Sequence, residues 1–252
     1  MPVTTGIIMQ VTGNNSLNTY RLSIRVFTDG FSLFTYTNTQ TKPFSEEFFP
    51  VADQTQLPAQ LEAILSRPHI TEHIYEKVEV LACTPTTHIP LDEFRREEMV
   101  PLYRLTFSNM ECASEDVQYE ILKSLEVVEL YYLPAEVRNA ISHVYPEAEF
   151  HAMHGQILER LSGKKTEREE VDGICHVQVV RDNLYVSVLE PQGLRFACDY
   201  RAATDNNRFY YILYALKTLE TDLKRTLCLL SGVSDTLKEN LEKYILFVEP
   251  CV

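Results

Sequence analysis

The chain has 252 residues, a formal net charge of −13 and 45% apolar side chains. This length suffices for one large domain or for two lobes of about 100–150 residues each. A chain this acidic repels phosphate backbones and shows no basic patch, so we expect no nucleic-acid partner. No apolar run reaches the roughly 18–20 residues of a membrane span, and the start lacks the basic and apolar regions of a signal peptide, which predicts a cytoplasmic protein.

The six cysteines include no Cys-x-x-Cys pair, and most of them fall inside predicted strands. Buried thiols in a reducing compartment are therefore expected. Cys83 precedes a Thr-Pro loop at the end of a predicted strand, which is a position where active sites occur. A core thiol is the favoured interpretation there, and a cysteine nucleophile is the alternative.

The first half of the chain alternates strands with helices after a polar N-terminal segment, residues 1–18. Alternating apolar residues predict strands at 20–27 and 31–36, joined by a hairpin turn at Asp29-Gly30. The next predicted elements are a strand, a helix, a strand, a loop and a helix interrupted by Pro101, at 43–49, 56–66, 78–83, 84–87 and 91–105.

The middle of the chain completes a first unit. The apolar stretches 117–122 and 127–133 are predicted as its closing strand or strands, and a helix is predicted at 135–145. Residues 150–161 fit either a short strand or a helix. Residues 163–173 are polar with a glycine at each end, which predicts a linker.

The second half has the same order of elements. Strands are predicted at 175–180, 184–189 and 194–200, and a type I′ turn at Asp182-Asn183 joins the first two. The remaining predicted elements are a helix within 209–223, a strand at 227–230 closed by Ser231-Gly232, a helix at 235–244 and a strand at 245–248.

The two halves match each other at a spacing of 153 residues. This spacing carries the first hairpin turn onto the second, Ile24 onto Val177 and Leu57 onto Tyr210. A true duplication is the favoured interpretation, and a chance recurrence of a generic α/β order is the alternative.

A duplicated unit of three antiparallel strands, helix, strand, helix and strand resembles the ribonuclease H-like fold as arranged in actin-like ATPases. That superfamily includes actin, the heat-shock chaperone ATPases, sugar kinases and the cytoplasmic actin-like pilus-assembly protein. The resemblance covers about residues 20–250. More narrowly, the chain resembles a bacterial domain-of-unknown-function family with an actin-like fold. The resemblance implies an α/β fold with mixed five-stranded sheets, divided into a first lobe at 19–162, a linker at 163–173 and a second lobe at 174–252.

In actin-like ATPases the first hairpin of each lobe wraps the phosphates with backbone N–H groups. Here both turns are short, and neither has the Asp-x-Gly pattern followed by a hydroxyl residue. This departure from the family's phosphate-loop pattern predicts that ATP hydrolysis is disfavoured. Weak binding of ATP with Mg²⁺ stays open, and its candidate positions are Asp29, Gly30, Asp182, Asn183, Ser231 and Gly232. A ribonuclease H-type nuclease is excluded, because strands 22–27 and 175–180 offer no carboxylate for its metals.

Two pairs of histidines have a spacing that could place both imidazoles on one helix face. They are His151 with His154 and His69 with His73. Neither pair encloses the glutamate of the metalloprotease pattern. Surface or core histidines are favoured, so no metal site is expected.

Tyr210, Tyr211 and Tyr214 form an aromatic face on the predicted second-half helix. Core packing is the favoured interpretation, and a partner groove is the alternative. The sequence as a whole predicts a catalytically silent actin-like binding or scaffold module with a protein or peptide partner. A nucleotide-dependent ATPase or kinase with divergent phosphate loops is the alternative, and a self-assembling protein, for instance a homodimer, is a third hypothesis.

Overall fold

A computed structural model describes residues 19–37, 42–110, 112–163 and 168–251. The predicted N-terminal segment 1–18 and part of the predicted linker lie outside these residues. The strands are β1 (Tyr20–Phe27), β2 (Gly30–Thr37), β3 (Ser45–Pro50), β4 (Tyr75–Cys83), β5 (Thr86–Pro90), β6 (Val117–Leu122), β7 (Val127–Tyr132), β8 (Glu149–Ala152), β9 (Gly173–Val180), β10 (Asn183–Glu190), β11 (Gly193–Arg201), β12 (Thr226–Ser231) and β13 (Phe247–Pro250). The α-helices are α1 (Leu57–Leu65), α2 (Pro68–Thr71), α3 (Met99–Thr106), α4 (Ala135–Val144), α5 (Met153–Ser162), α6 (Asp205–Thr218) and α7 (Asp235–Glu242).

Two large sheets share one strand order, β3-β2-β1-β4-β8 in the first and β11-β10-β9-β12-β13 in the second. In each, the central strand is antiparallel to its hairpin partner and parallel to the strand on its other side. Ile24 pairs with Leu33 and Val177 pairs with Val186, which keeps the predicted spacing of 153 residues in register. The predicted pair of mixed five-stranded sheets is therefore confirmed, while the predicted lobe boundaries stay predictions.

Each large sheet packs its own helices on one face and shares a core with the other sheet on the opposite face. Alternate residues of β1, such as Leu22 and Ile24, pack against α1 and α4, and the second sheet packs in the same way against α6 and α7. On the other face, Phe27 of the first sheet and Tyr185 of the second lie in one apolar cluster with Ile157 of α5. Helix α5 contacts both β4 and β10, so a continuous core joins the two sheets.

A small third sheet, in the order β5-β7-β6, corrects the prediction for the middle of the chain. The stretches 117–122 and 127–133 pair with each other rather than closing the first sheet. The second of them also pairs with β5, whose first two residues belong to the predicted loop 84–87. Strand β8 closes that sheet by pairing in parallel with β4, and α5 follows it directly. The region 150–161 is therefore a strand and a helix in succession.

Both hairpin loops lie one residue before the predicted position. They are Thr28-Asp29 and Arg181-Asp182, so Gly30 and Asn183 begin the return strands. The positive φ angles fall on Gly30, at 147°, and on Arg181, at 56°. Gly30 therefore lies directly after the loop and not within it, and its backbone is close to the Phe49 carbonyl.

Two helices also differ from the prediction. Helix α3 begins at Met99 and not near residue 91. Helix α6 buries Ile212, Ala215 and Leu216, whereas Tyr210 is 60% exposed. The prediction that the α6 tyrosines belong to the core is wrong for Tyr210 and Tyr214, because the helix is rotated relative to the face that the 153-residue spacing selects. Tyr211 does pack against the core of the second sheet, partly buried. In the described part of the chain, no helix combines the length and apolar character that crossing a membrane requires.

We expect Gly30→Ala to destabilise the protein more than Gly193→Ala. Both glycines open a return strand at positive φ, 147° and 126°, so each alanine should lower the free energy of unfolding by roughly 1–2 kcal/mol through backbone strain. A Cβ at residue 30 would also lie 2.2 Å from the Phe49 carbonyl oxygen, whereas nothing lies within 4 Å at residue 193. Urea unfolding should show that Gly30→Ala lowers the free energy of unfolding by at least about 1 kcal/mol more than Gly193→Ala does. Equal decreases in the two variants would contradict the close approach of residue 30 to the Phe49 carbonyl.

Candidate functional site

The two hairpin tips, Thr28-Asp29 and Arg181-Asp182, meet between the large sheets. The Arg181 guanidinium lies 3.5 Å from the Asp29 carboxylate and 3.3 Å from the centre of the Phe48 ring. An ion pair this exposed contributes at most about 1 kcal/mol to stability. Its importance is steric, because the guanidinium lies between the tips, where the resemblance to ATPases would place a phosphate.

Backbone and side-chain groups at the tips are engaged within the chain. The Asp29 carbonyl accepts from the Val51 N–H at 3.0 Å, and the Asp182 carbonyl accepts from the Ala202 N–H at 2.7 Å. The Asn183 amide donates across the sheets to the carbonyl at the end of β4, at 3.2 Å. The contact of Arg181 with Asp29 and that of Asn183 with Cys83 therefore tie the two sheets to each other, whereas Asp182 bonds within the second half.

Ser231 and Gly232 lie at the end of β12, beside β9. The Ser231 Oγ is 3.4 Å from His176 Nε2, and a Cβ on Gly232 would lie 2.3 Å from the Val179 carbonyl oxygen. Ser231 lines a pocket of about 270 Å³ next to α5, below the roughly 300–1,000 Å³ of typical ligand sites. A ligand role for these two residues stays a prediction.

A second group of polar side chains is buried where the small sheet meets α5 and the second sheet. We call it the junction cluster, and its members are Thr86, His88, Glu129, His154, Ser187 and Asp199. They come from β5, β7, α5, β10 and β11. The cluster is therefore assembled by the tertiary fold from residues that are far apart in the chain.

Glu129 is a fully buried carboxylate in the junction cluster, with 0% of the residue exposed. Its Oε1 is 3.3 Å from His88 Nε2, and the backbone N–H of Gly155 lies beside the carboxylate. Burial raises the pKa of the Glu129 carboxyl, and the neighbouring His88 partly opposes that shift. Gly155 makes room for it, since a Cβ there would lie 2.0 Å from Glu129 Oε2.

His154 links the small sheet to the second sheet. Its Nε2 is 2.7 Å from the Ser187 Oγ, and its Nδ1 is 3.5 Å from the Thr86 Oγ1. Burial, followed by the nearby His88 and His176, lowers the pKa of His154 well below its usual range. The imidazole is therefore neutral at physiological pH, and its Nε2 either donates to the Ser187 hydroxyl or accepts from it, according to the tautomer.

Asp199 closes the other end of the junction cluster. Its Oδ1 accepts from the Thr86 N–H at 3.0 Å and from the Thr86 hydroxyl at 3.2 Å. Burial raises the pKa of Asp199 to about 6, although both Thr86 hydrogen bonds lower it. The surroundings of Asp199 therefore disfavour its ionised form relative to its protonated form.

The junction cluster combines groups known from hydrolases and from metal sites. Ser187 beside His154 has the contact of a nucleophile and its base, but both residues are 0% exposed. A substrate therefore cannot reach the Ser187 hydroxyl in this conformation. His88, Glu129 and His154 offer three ligand atoms that lie within 4.8 Å of one another.

The predicted histidine and cysteine candidates have other surroundings. His151 lies in β8 and not on the helix with His154, and its Nδ1 is 2.8 Å from Glu120. His73 lies beyond the end of α2, where its ring stacks on Tyr75. Cys83 is buried, and burial raises the pKa of its thiol to about 12, as for a core thiol.

Sequence reasoning did not single out His88 and Glu129, which the fold makes cross-strand neighbours. One signal was present. Glu129 is a lone carboxylate inside the apolar run Val-Val-Glu-Leu-Tyr-Tyr of β7. A charge in a buried strand requires a specific partner, but the sequence gives no indication of which residue that partner is.

The sequence profile of the DUF3822 family, described as a protein of unknown function, matches residues 12–248. The chain belongs to the DUF3822 family. No curated protein matches the sequence. The family membership confirms the predicted resemblance to a domain-of-unknown-function family.

The fold of this DUF3822 member is shown by its similarity to a solved structure. A Bacteroides thetaiotaomicron protein described as having an actin-like ATPase fold and unknown function matches with a TM-score of 0.76 and 26% identity, over 98% of this chain and 94% of that protein. The PilM–PilN type IV pilus biogenesis complex matches with a TM-score of 0.51 and 11% identity, over 92% and 88%. The ethanolamine utilization protein EutJ from Carboxydothermus hydrogenoformans has a TM-score of 0.47 and 9% identity, over 92% and 84%. The predicted actin-like fold is confirmed.

We expect Asp199→Asn to change how stability depends on pH. A carboxyl whose pKa is about 6 in the folded protein, against 3.8 ordinarily, binds its proton more tightly when folded, so the wild-type protein loses stability as pH rises through this window. Asparagine keeps the acceptor for Thr86 and does not ionise. The free energy of unfolding of the variant relative to wild type should therefore rise by about 2 kcal/mol between pH 4 and pH 7, as measured by urea unfolding.

Asp172→Asn is the matched control for that experiment. Asp172 pairs with Arg225, whose hydrogen bond lowers the pKa of the carboxyl. A carboxyl whose pKa is lowered by folding stabilises the protein at pH values above its ordinary pKa, and this stabilisation is lost as the pH falls. The free energy of unfolding of Asp172→Asn should therefore be lower than that of wild type near neutral pH and should approach the wild-type value in acid. If both variants shift with pH in the same direction, the assignment to Asp199 is wrong.

Proposed function

We propose that this DUF3822 protein is a catalytically silent actin-like module that binds a protein or peptide partner. The observation that carries the proposal is the closed pair of hairpin tips, where Arg181 lies between Asp29 and Phe48. A phosphate group there would have to displace the Arg181 guanidinium from the Asp29 carboxylate and the Phe48 ring. Backbone N–H groups that converge on an anion are what phosphate binding requires.

The shared core supports the same proposal. Nucleotide-dependent enzymes commonly open and close domains around their ligands. Here Phe27, Ile157 and Tyr185 belong to one apolar cluster between the two sheets. Separating the sheets would expose that cluster to water, at a cost of about 25 cal/mol for each Å² of apolar surface.

The outer face of α6 is the surface that we propose for the partner. Tyr210 and Tyr214 are 60% and 54% exposed, and their rings stack with centroids 5.8 Å apart. Tyr200 and Tyr211 stack beside them at 4.6 Å. Tyrosine is enriched at protein interfaces because it offers a large apolar ring with a polar end. PilM, which has this fold, occurs in a complex with PilN, so partner binding is compatible with the architecture.

We expect ATP with Mg²⁺ to leave the melting temperature unchanged at millimolar concentrations, because a ligand stabilises a protein only to the extent that it binds the folded state. Differential scanning fluorimetry over a series of ATP·Mg²⁺ concentrations tests this. The same titration should be made on the Arg181→Ala variant, which lacks the guanidinium between the tips. A rise in the wild-type melting temperature with ATP, abolished by Asp29→Asn, would contradict the proposal and favour the ATPase or kinase alternative.

We expect a photo-crosslinking amino acid at position 210 to capture a discrete protein partner in cells of the native host, because an exposed aromatic face at an interface lies within crosslinking distance of its partner. The control is the same amino acid at position 105, since Leu105 is 80% exposed on α3. Mass spectrometry should find one enriched protein only with the probe at 210. Identical products at both positions would contradict an interface on α6, and a crosslink to the chain itself would favour the homodimer.

A further inference from the structure

Three side chains of the junction cluster converge on one point. His88, Glu129 and His154 each offer a ligand atom, and the three atoms lie within 4.8 Å of one another. The His88 Nε2 and the Glu129 Oε1 are 3.3 Å apart. Two ligands that are each about 2.0–2.1 Å from a tetrahedral zinc ion are separated by about 3.3–3.4 Å. This pair therefore already has the spacing of two zinc ligands.

The charge of Glu129 also calls for a cation. The carboxylate is 0% exposed, and the neighbours that favour its charged form are the His88 imidazole and the Gly155 N–H. A buried carboxylate is costly unless its charge is compensated. The first turn of α5 lies against it and favours a negative charge only weakly. A divalent cation would offset the remaining cost.

His154 is held as a metal-binding histidine usually is. Its Nε2 is 2.7 Å from the Ser187 Oγ, and in the tautomer whose Nε2 donates to Ser187, Nδ1 has the lone pair that a metal ion needs. Metal-bound histidines almost always donate their other ring N–H to a fixed acceptor, which sets the tautomer and the ring orientation. Ser187 belongs to β10 of the second sheet, so the cluster connects that sheet to the small sheet.

We propose that His88, Glu129 and His154 bind one Zn²⁺ ion that fastens the small sheet to α5, with Ser187 orienting His154. Two imidazoles and one carboxylate are nitrogen and oxygen donors that suit zinc, and a water molecule would complete its four-coordination. The site requires glycine at position 155, because any side chain there would displace the Glu129 carboxylate. The complete burial of two of the ligands gives the ion a structural role rather than a role in turnover.

The competing explanation is a protonated Glu129 that shares a hydrogen bond with His88. Glutamine mimics a protonated carboxyl in shape and in neutrality, whereas it replaces a negatively charged zinc ligand with a weak one. Glu129→Gln therefore separates the two explanations. It should leave the metal-free protein at least as stable as wild type, and it should remove the response to zinc.

The test uses the full chain after dialysis against a chelator and reloading with one equivalent of Zn²⁺. Elemental analysis should find one zinc per chain, the melting temperature should rise with added zinc, and Co²⁺ in its place should give the visible absorption of a tetrahedral site. Glu129→Gln should weaken zinc binding at least about 100-fold, and Ser187→Ala about 10-fold, as for a group that orients a ligand. His151→Ala is the control and should bind like wild type, since His151 pairs with Glu120 outside the cluster.

Circular dichroism of each variant shows whether it is folded before its affinity is compared. Sub-stoichiometric zinc in the reloaded wild-type protein overturns the proposal. Zinc binding that survives in a folded Glu129→Gln variant overturns it as well, because the ion would then lie elsewhere. An unchanged affinity in Ser187→Ala removes the positioning role of that residue.

Discussion

The architecture depends on helix α5 having apolar contacts in two directions. Its side chains share one core with Phe27 and Leu81 of the first sheet and with Tyr185 of the second. In a fold built from two similar units, the space between the units is where a ligand would enter. Here that space contains a helix and its core. The hairpin tips that could face a ligand instead contact each other through Arg181 and Asp29.

The same helix explains why charged and polar side chains are buried at this point. Its first turn carries His154 and Gly155, and it lies against the polar face of the small sheet. The opposite face of that sheet packs Val128 and Leu130 against α3. A buried polar network is stabilising only when its members satisfy one another. The small sheet therefore contributes an apolar core on one face and a buried charged group on the other. Polar groups of α5 and of the second sheet compensate that charge in part.

The fold was predictable to a considerable extent, because alternation of apolar residues and turn residues act locally. The period-2 pattern of β1 and β9 and the spacing of 153 residues between them predicted the matching order of elements in the two halves, and the resemblance implied the mixed five-stranded sheets. The predictions failed where tertiary pairing decides the outcome. Strand β5 begins in a Thr-Thr-His segment with no strong strand signal and forms only because β7 pairs with it. The orientation of α6 was also missed, since Tyr210 is apolar enough to suit a core but points to solvent.

Much less of the candidate site could be predicted. Asp29 and Asp182 were identifiable because turn residues are local signals, but the contact of Arg181 with Asp29 was not predicted. The junction cluster was not identifiable, because His88, Glu129 and Ser187 come from three strands whose proximity is set by sheet packing. Spacing along the chain even favoured the wrong pair, since His151 and His154 lie on different elements.

The hydrogen bond from Asn183 to the carbonyl at the end of β4 has a consequence for how the molecule moves. Together with the apolar cluster around α5, it couples the two halves at both the rim and the centre of their boundary. A hinge rotation would have to break both at once. The chain should therefore lose its structure in a single cooperative transition, so that each half owes its rigidity to the presence of the other.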